Sequence, residues 1–218
     1  GLTRVLERRR LLSSAEDHGK EGAGDQMAVV LQRERETALR LIRASEWRDE
    51  VNDGHIRRAG LYSARMAEAL GWEQGRVEEI RLAAALHDIG KVGIADGILL
   101  RAERLTAEEF GVAKKNTQMG GRILEGSEFS LLQMAREIAL YHHEKWDGSG
   151  YPEGLVGEKI PESARIVAIA DVYDALSHPR LYRAAHPEEE SLSIMKDGRG
   201  KHFDPKSFDC FLDLIPEL

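Results

Sequence analysis

The sequence predicts an all-α protein. From Val51 onward almost every segment sets its apolar residues at helical spacing, and no segment of any length alternates as a strand would. Capping residues and glycines also fall at the ends of those segments. Taken in order, residues 1–12 carry a short basic helical pattern and residues 13–26 are polar and Gly-rich, as in a linker. Residues 27–47 are strong helix formers with an apolar stripe of Leu31, Ala38, Leu39 and Ile42. Such a stripe suits a helix docked on one side or a dimerising signalling helix, which allows a homodimer. Residues 55–70 bring Ile56, Ala59, Tyr62, Met66 and Leu70 to one face, and Gly71 ends the run. Residues 76–88 repeat the pattern with Val77, Ile80, Ala84 and His87. Thr106 and Glu109 form a capping box that starts a helix at Ala107. Further helices are expected at 130–143 and 161–177. Near the end, Asp204 and Pro205 read as N-cap and N1, with Phe203 and Phe208 placed for a hydrophobic staple.

A chain of 218 residues suits one sizeable domain plus an appendage. The organisation read here is a helical or linker region over 1–46 and a main domain over 47–218. The single cysteine, Cys210, excludes a disulfide framework and argues against a Cys-based zinc site. A reducing, cytoplasmic location fits. The net charge of −7 is unlike that of a nucleic-acid polymer binder, so an anionic substrate would need a local positive site. No stretch reaches the roughly 18 apolar residues of a membrane span, and no signal-peptide pattern opens the chain. The chain begins at Gly1 rather than Met, and a preceding domain is expected.

The chemistry concentrates in four places. His87 follows Ile80 and Ala84 on one helix face, with Asp88 beside it and Gly90 to stop the helix. A lone inward histidine is ordinarily a satisfied core residue. An adjacent aspartate changes that, because desolvating an unpaired carboxylate costs several kcal/mol and a cation would satisfy both. His142 follows Ile138 by one turn, with His143 next and the Gly-rich GSGYP stretch after it. Both rings reach one site only at a helix end; otherwise one is structural and the other exposed. Asp171 lies in RIVAIADVYDAL, a helix apolar nearly all round, so its carboxylate needs a metal or a cation such as Arg165. Asp174, one turn on, is placed to orient a histidine. His55 opens a helix at the edge of its apolar face. His18, His178, His186 and His202 read as structural or solvated. A His/Asp site without cysteine suits Fe, Mn, Zn or Ni.

The strings HDIGKVGIADGILL, HHEKWDGSGYPEGLVGEKIP, ARIVAIADVYDAL and GKHFDP occur in this order, and the chain from about Trp47 resembles the HD-GYP family, a branch of the HD-domain metal phosphohydrolases. The resemblance implies an HD-domain helical bundle preceded by a linker helix. It implies hydrolysis of the bacterial messenger cyclic di-GMP to pGpG or GMP, behind a receiver or sensor domain as in a two-component response regulator. It implies His55, His87, Asp88, His142, His143 and Asp171 as ligands of two divalent ions, with Fe or Mn favoured over Zn or Ni. Asp88, which can bridge, and Lys91, at the scissile phosphate, become the catalytic pair. Tyr151 of the GYP loop and the pair Arg180 and Arg183 become substrate contacts. The resemblance also implies the same loop as a docking surface for a GGDEF-domain protein.

This chain departs from the family pattern at Asn116, which stands where a histidine ligand is usual. An amide is a far weaker ligand than an imidazole, so Asn116 marks a weak or lost ligand of the second ion. Val51 stands where members with a third metal have glutamate. The alternative expectation is therefore a regulatory module that binds metal or cyclic di-GMP and docks a partner with little turnover. A third is hydrolysis of another cyclic dinucleotide or nucleotide.

Overall fold

The computed structural model describes residues 29–46, 54–101, 103–179 and 185–217. Contacts divide the chain into two compact units, Gly1–Thr37 and Ala38–Leu218. The predicted helix of 27–47 is α1, residues 29–46. In the larger unit, Ala38 and Ile42 of its stripe are buried in the core, whereas Leu39 is exposed.

The remaining helices are α2 (His55–Ala69), α3 (Gln74–Ala84), α4 (Asp96–Leu99), α5 (Ala107–Ala113), α6 (Lys115–Ile123), α7 (Ser130–Tyr141), α8 (Glu162–Ser177), α9 (Glu188–Lys196) and α10 (Pro205–Leu214). Among the described residues there is no strand, only isolated bridges at Asp147–Val156 and Arg199–Phe203. No described helix is long and apolar enough to cross a membrane. The fold is therefore all-α.

Local signals place these elements. Gly71 takes φ 85 after α2, and the Trp72 N–H returns to the Ala67 carbonyl, so the chain reverses directly into α3. Both bonds of the Thr106–Glu109 capping box form and start α5 at Ala107. Asp204 caps α10 by accepting from the Lys206 N–H, with Pro205 at N1. The Phe203 and Phe208 rings stack 5.2 Å apart, which is the predicted staple.

α2, α3, α7 and α8 form the bundle: α2 packs on α3 and α8, and α7 on α3 and α8. α6 lies against α7, α9 against α8, and α10 against α2 and α8. Met66, Ile80, Leu86, Met134, Ile138, Ile166, Ile169, Phe208 and Phe211 fill the centre and are essentially inaccessible. Each apolar side chain so placed contributes on the order of 1.5–3 kcal/mol of burial free energy.

One boundary differs from the sequence reading. The helix expected over 76–88 ends at Ala84. The Leu86 and His87 N–H groups bond to Ala83 and Ala84 carbonyls three residues back, and a 3-10 turn follows at Ile89–Gly93. Gly90, in that turn, lies against α6. A Cβ on Gly90 would lie 1.8 Å from the Asn116 carbonyl oxygen and 2.5 Å from the Gly120 nitrogen. Gly90→Ala is therefore expected to destabilise the protein by about 3 kcal/mol. Thermal unfolding should show this as a fall in Tm of roughly 6–12 °C.

Candidate metal centre

The six predicted donors converge from four elements. His55 is the first residue of α2, His87 and Asp88 lie in the turn after α3, His142 is the C-cap of α7 with His143 next, and Asp171 lies within α8. His55, His87 and Asp171 each offer a donor atom within 4.8 Å of the other two, and Asp88, His142 and His143 do the same. The groups adjoin at the His87–Asp88 peptide.

Hydrogen bonds aim the rings. His87 Nδ1 donates to the Ala84 carbonyl at 2.8 Å, and His142 Nδ1 to the Ile138 carbonyl at 2.9 Å. His55 Nδ1 donates to Asp174 Oδ2 at 2.7 Å. Each acceptor fixes a proton on Nδ1 and turns Nε2 inward. The Nε2 atoms of His87 and His142 are buried and make no hydrogen bond. His87 Nε2 stands 3.3 Å from Asp88 Oδ2 and 4.0 Å from Asp171 Oδ1. His142 Nε2 is 3.8 Å from Asp88 Oδ1, and His55 Nε2 is 3.4 Å from Asp171 Oδ1. These spacings are mostly too long for good hydrogen bonds, yet they match ligands that each sit about 2.0–2.2 Å from a shared ion. Orphaned buried nitrogens facing carboxylates fit a metal on chemical grounds. The two Asp88 oxygens face different groups, Oδ2 toward His87 and Oδ1 toward His142.

Charges support the same reading. Burial opposes the charged form of Asp88, yet Lys91 and His87 hold its carboxyl well below the usual carboxylate range. Lys91 Nζ lies 2.7 Å from Asp88 Oδ2. Burial likewise opposes charge on Asp171, but His87 and His55 hold it down at about 2. Burial lowers His142 to about 3, aided by His143 and His87, so it is neutral and ready to coordinate. His87 goes the other way. Burial lowers it, but Asp88 and Asp171 outweigh that and raise it to about 9. Without a cation, His87 thus carries a proton at neutral pH, where an ion would otherwise balance the carboxylates.

Asn116, on α6, is buried beside the second group. Its Nδ2 donates to Asp88 Oδ1 at 2.7 Å, and its own Oδ1 is buried without a hydrogen bond. Arg165, the sequence's cationic candidate for Asp171, turns elsewhere, to Asp204 Oδ2 at 2.7 Å and the Ile160 carbonyl at 2.9 Å. Asp171 keeps 17% side-chain exposure instead of the full burial its apolar helix predicts, because it borders a cavity. That cavity, of about 350 Å³, reaches from Asp88, Asn116, His143 and Asp171 past Lys91 and Tyr151 to an apolar wall that includes Ile98, Leu105 and Leu176. Tyr151 packs on His143 with ring centroids 4.8 Å apart. Arg180, Arg183 and Val51 lie outside the described residues.

The HD domain family model matches residues 32–207. The chain belongs to the HD-domain family. HD-domain phosphohydrolases are metal-dependent, and the His/Asp groups described above could hold metal. The cyclic di-GMP phosphodiesterase response regulator RpfG of Xanthomonas campestris pv. campestris is 45% identical over 85% of this chain and 49% of its own length. A 3'3'-cGAMP-specific phosphodiesterase of Vibrio cholerae serotype O1 is 40% identical over 86% of this chain and 36% of its own. The chain thus spans half or less of these relatives. A solved structure of a cyclic GMP-AMP-specific phosphodiesterase from V. cholerae aligns with TM-score 0.59 at 21% identity, over 82% of this chain and 48% of that one, which shows the shared fold.

Several supporting residues escaped the sequence reading. Arg58 donates twice to Asp174, from Nε to Oδ1 and from Nη2 to Oδ2 at 3.1 Å. His178, read as structural or solvated, approaches Asp174 Oδ1 at 3.2 Å. Arg58 sits one turn after His55 on the same face, a signal that spacing alone could have given. Glu144 is buried, and its carboxylate accepts the N–H groups of Glu153, Gly154 and Leu155 at 2.7, 3.0 and 3.1 Å, fixing the GYP loop. A glutamate entering a Gly-rich loop was its only mark in the sequence.

Two outcomes follow from this geometry. Coordination must displace the proton held by His87, so apparent Mn(II) affinity, measured by chelator competition, should rise about tenfold per pH unit from 7 to about 9, then level off. Asp174→Asn should weaken metal affinity by roughly 10–100-fold, because His55 loses the carboxylate that aims it.

Proposed function

We propose that this chain is a metal-dependent phosphodiesterase domain that hydrolyses cyclic di-GMP to pGpG or GMP in bacterial signalling. The observation that carries the reading is the pair of donor groups joined at His87–Asp88 and opening on a cavity with Lys91 at its side. The relatives that match this chain, named for cyclic-dinucleotide phosphodiester hydrolysis, support it.

In this reading His55, His87, Asp88 and Asp171 hold one divalent ion, and Asp88, His142 and His143 hold a second, with Asn116 beside it. The donor set favours Fe or Mn. When bound, such a pair supplies an activated water and neutralises charge on the phosphoryl oxygens. The chain's own residues do the rest. Asp174 and the Ala84 and Ile138 carbonyls orient the histidines. Lys91 offers an ammonium to the scissile phosphate and stabilises its developing charge. Tyr151 borders the bound ligand, and Arg180 and Arg183 hold phosphate or guanine, as the resemblance implies. Residues 1–46 connect to a receiver or sensor domain, 47–218 form the HD-GYP domain, and the protein works in the cytoplasm. The GYP loop is the docking surface for a GGDEF-domain protein, and α1 allows a homodimer.

Two observations favour other readings. Asn116 bonds to Asp88 where a histidine would ligate, which suits a regulatory module with little turnover. The relative named for 3'3'-cGAMP suits a mixed cyclic dinucleotide.

The deciding measurement is product formation from cyclic di-GMP and from 3'3'-cGAMP by protein loaded anaerobically with Fe(II) or Mn(II). Cyclic di-GMP should be hydrolysed, with turnover lost in His87→Ala. Asn116→His should change kcat by less than about tenfold; a gain of about 100-fold or more would establish the regulatory reading. No product from either dinucleotide would sink the assignment.

A further inference from the structure

Resting on the reading that the ligand is a cyclic dinucleotide, we propose that Phe110 is a stacking platform for one of its purine bases, held at the cavity rim by Lys114 and Tyr151. α5 buries none of its residues, and Phe110 is 47% exposed and contributes nothing to the core. An exposed phenylalanine alone is ordinary. This one is fixed in place from two sides. Lys114 Nζ lies 4.8 Å from its ring centroid and 4.9 Å from that of Tyr151, so one ammonium clasps both rings. The Tyr151 ring meets Phe110 edge to face, with centroids 6.3 Å apart at 83°.

The placement relative to the donors is what points to a base. Tyr151 packs on His143 at 4.8 Å, so the Phe110 ring stands no farther than about 11 Å from that of His143. That is the reach of one nucleotide from a phosphate at the donor groups to its base. Ala113, one turn after Phe110, and Tyr151 line the cavity, and Phe110 lies just outside that lining, against Tyr151. At about 350 Å³ the cavity is at the small end of ligand pockets, and part of a cyclic dinucleotide must rest on the rim. An aromatic ring serves there because every base has a π-face, and the Lys114 charge beside it suits guanine's acceptor edge.

The test is calorimetric binding of a hydrolysis-resistant phosphorothioate analogue of cyclic di-GMP to Mn(II)-loaded wild type, Phe110→Leu and Phe110→Trp, with turnover of cyclic di-GMP measured in parallel. Leucine keeps the apolar bulk and loses the π-face, so its affinity should fall about tenfold. Tryptophan should match or exceed wild type. Affinity for inorganic phosphate, which has no base, should be the same in all three. A Phe110→Leu variant that binds the analogue as wild type does, while turnover persists, overturns the platform and leaves the phosphodiesterase reading intact. A parallel loss of phosphate affinity also overturns it, since the ring would then merely support the site. The expected pattern in a protein without turnover sustains the platform and removes the phosphodiesterase assignment. Absence of analogue binding by wild type overturns the platform outright.

Discussion

The structure turns on the carboxylate of Asp88, only 8% exposed and surrounded by His87, His142, Lys91 and Asn116. A charge in that position costs several kcal/mol unless its field is answered on every side. The surrounding elements are arranged to answer it. α3 gives up its last turn so that His87 and Asp88 can share one corner, and α6 closes against Gly90 to deliver Asn116. The bundle core supports this by holding α2, α3, α7 and α8 in one register, so that their ends and faces meet around a single point.

This arrangement also resolves an apparent conflict in charge. The chain carries net charge −7, yet its proposed ligand is an anion. The buried aspartates are not surplus negative charge, because they are counterparts to cations: Lys91 at Asp88, Arg58 at Asp174, and donor groups that could hold metal. Where local fields are set at distances of about 3–4 Å inside a low-dielectric pocket, the global charge matters little for binding.

Much of this was legible in the sequence. The helical period, the Thr106–Glu109 box and the Asp204–Pro205 cap are local, and they appear where composition puts them. The apolar faces carrying His87, Asp88 and Asp171 pointed to a cation, while the full set of six donors, His55 and His143 included, was implied by the family resemblance. What stayed hidden depended on distant partners. The sequence marks Asp174 as orienting a histidine, but that the histidine is His55, 119 positions away, is not written in either segment. The sequence marks Gly90 as the helix stop, but that α6 packs onto its bare backbone is a contact between distant segments that propensity cannot register. Phe110 drew no reading from the sequence, since its partner ring, Tyr151, comes from a loop 41 positions away.

The Glu144 carboxylate has a mechanical meaning. It binds Glu153, Gly154 and Leu155 like a hand gripping a cord, and it is covalently next to His143. The loop tip cannot shift without either breaking that grip or pulling the peptide that carries a donor ring. With Tyr151 also packed on His143, the loop and the donor ring form one mechanical piece, so a load on the loop tip is felt at His143 as through the short arm of a lever.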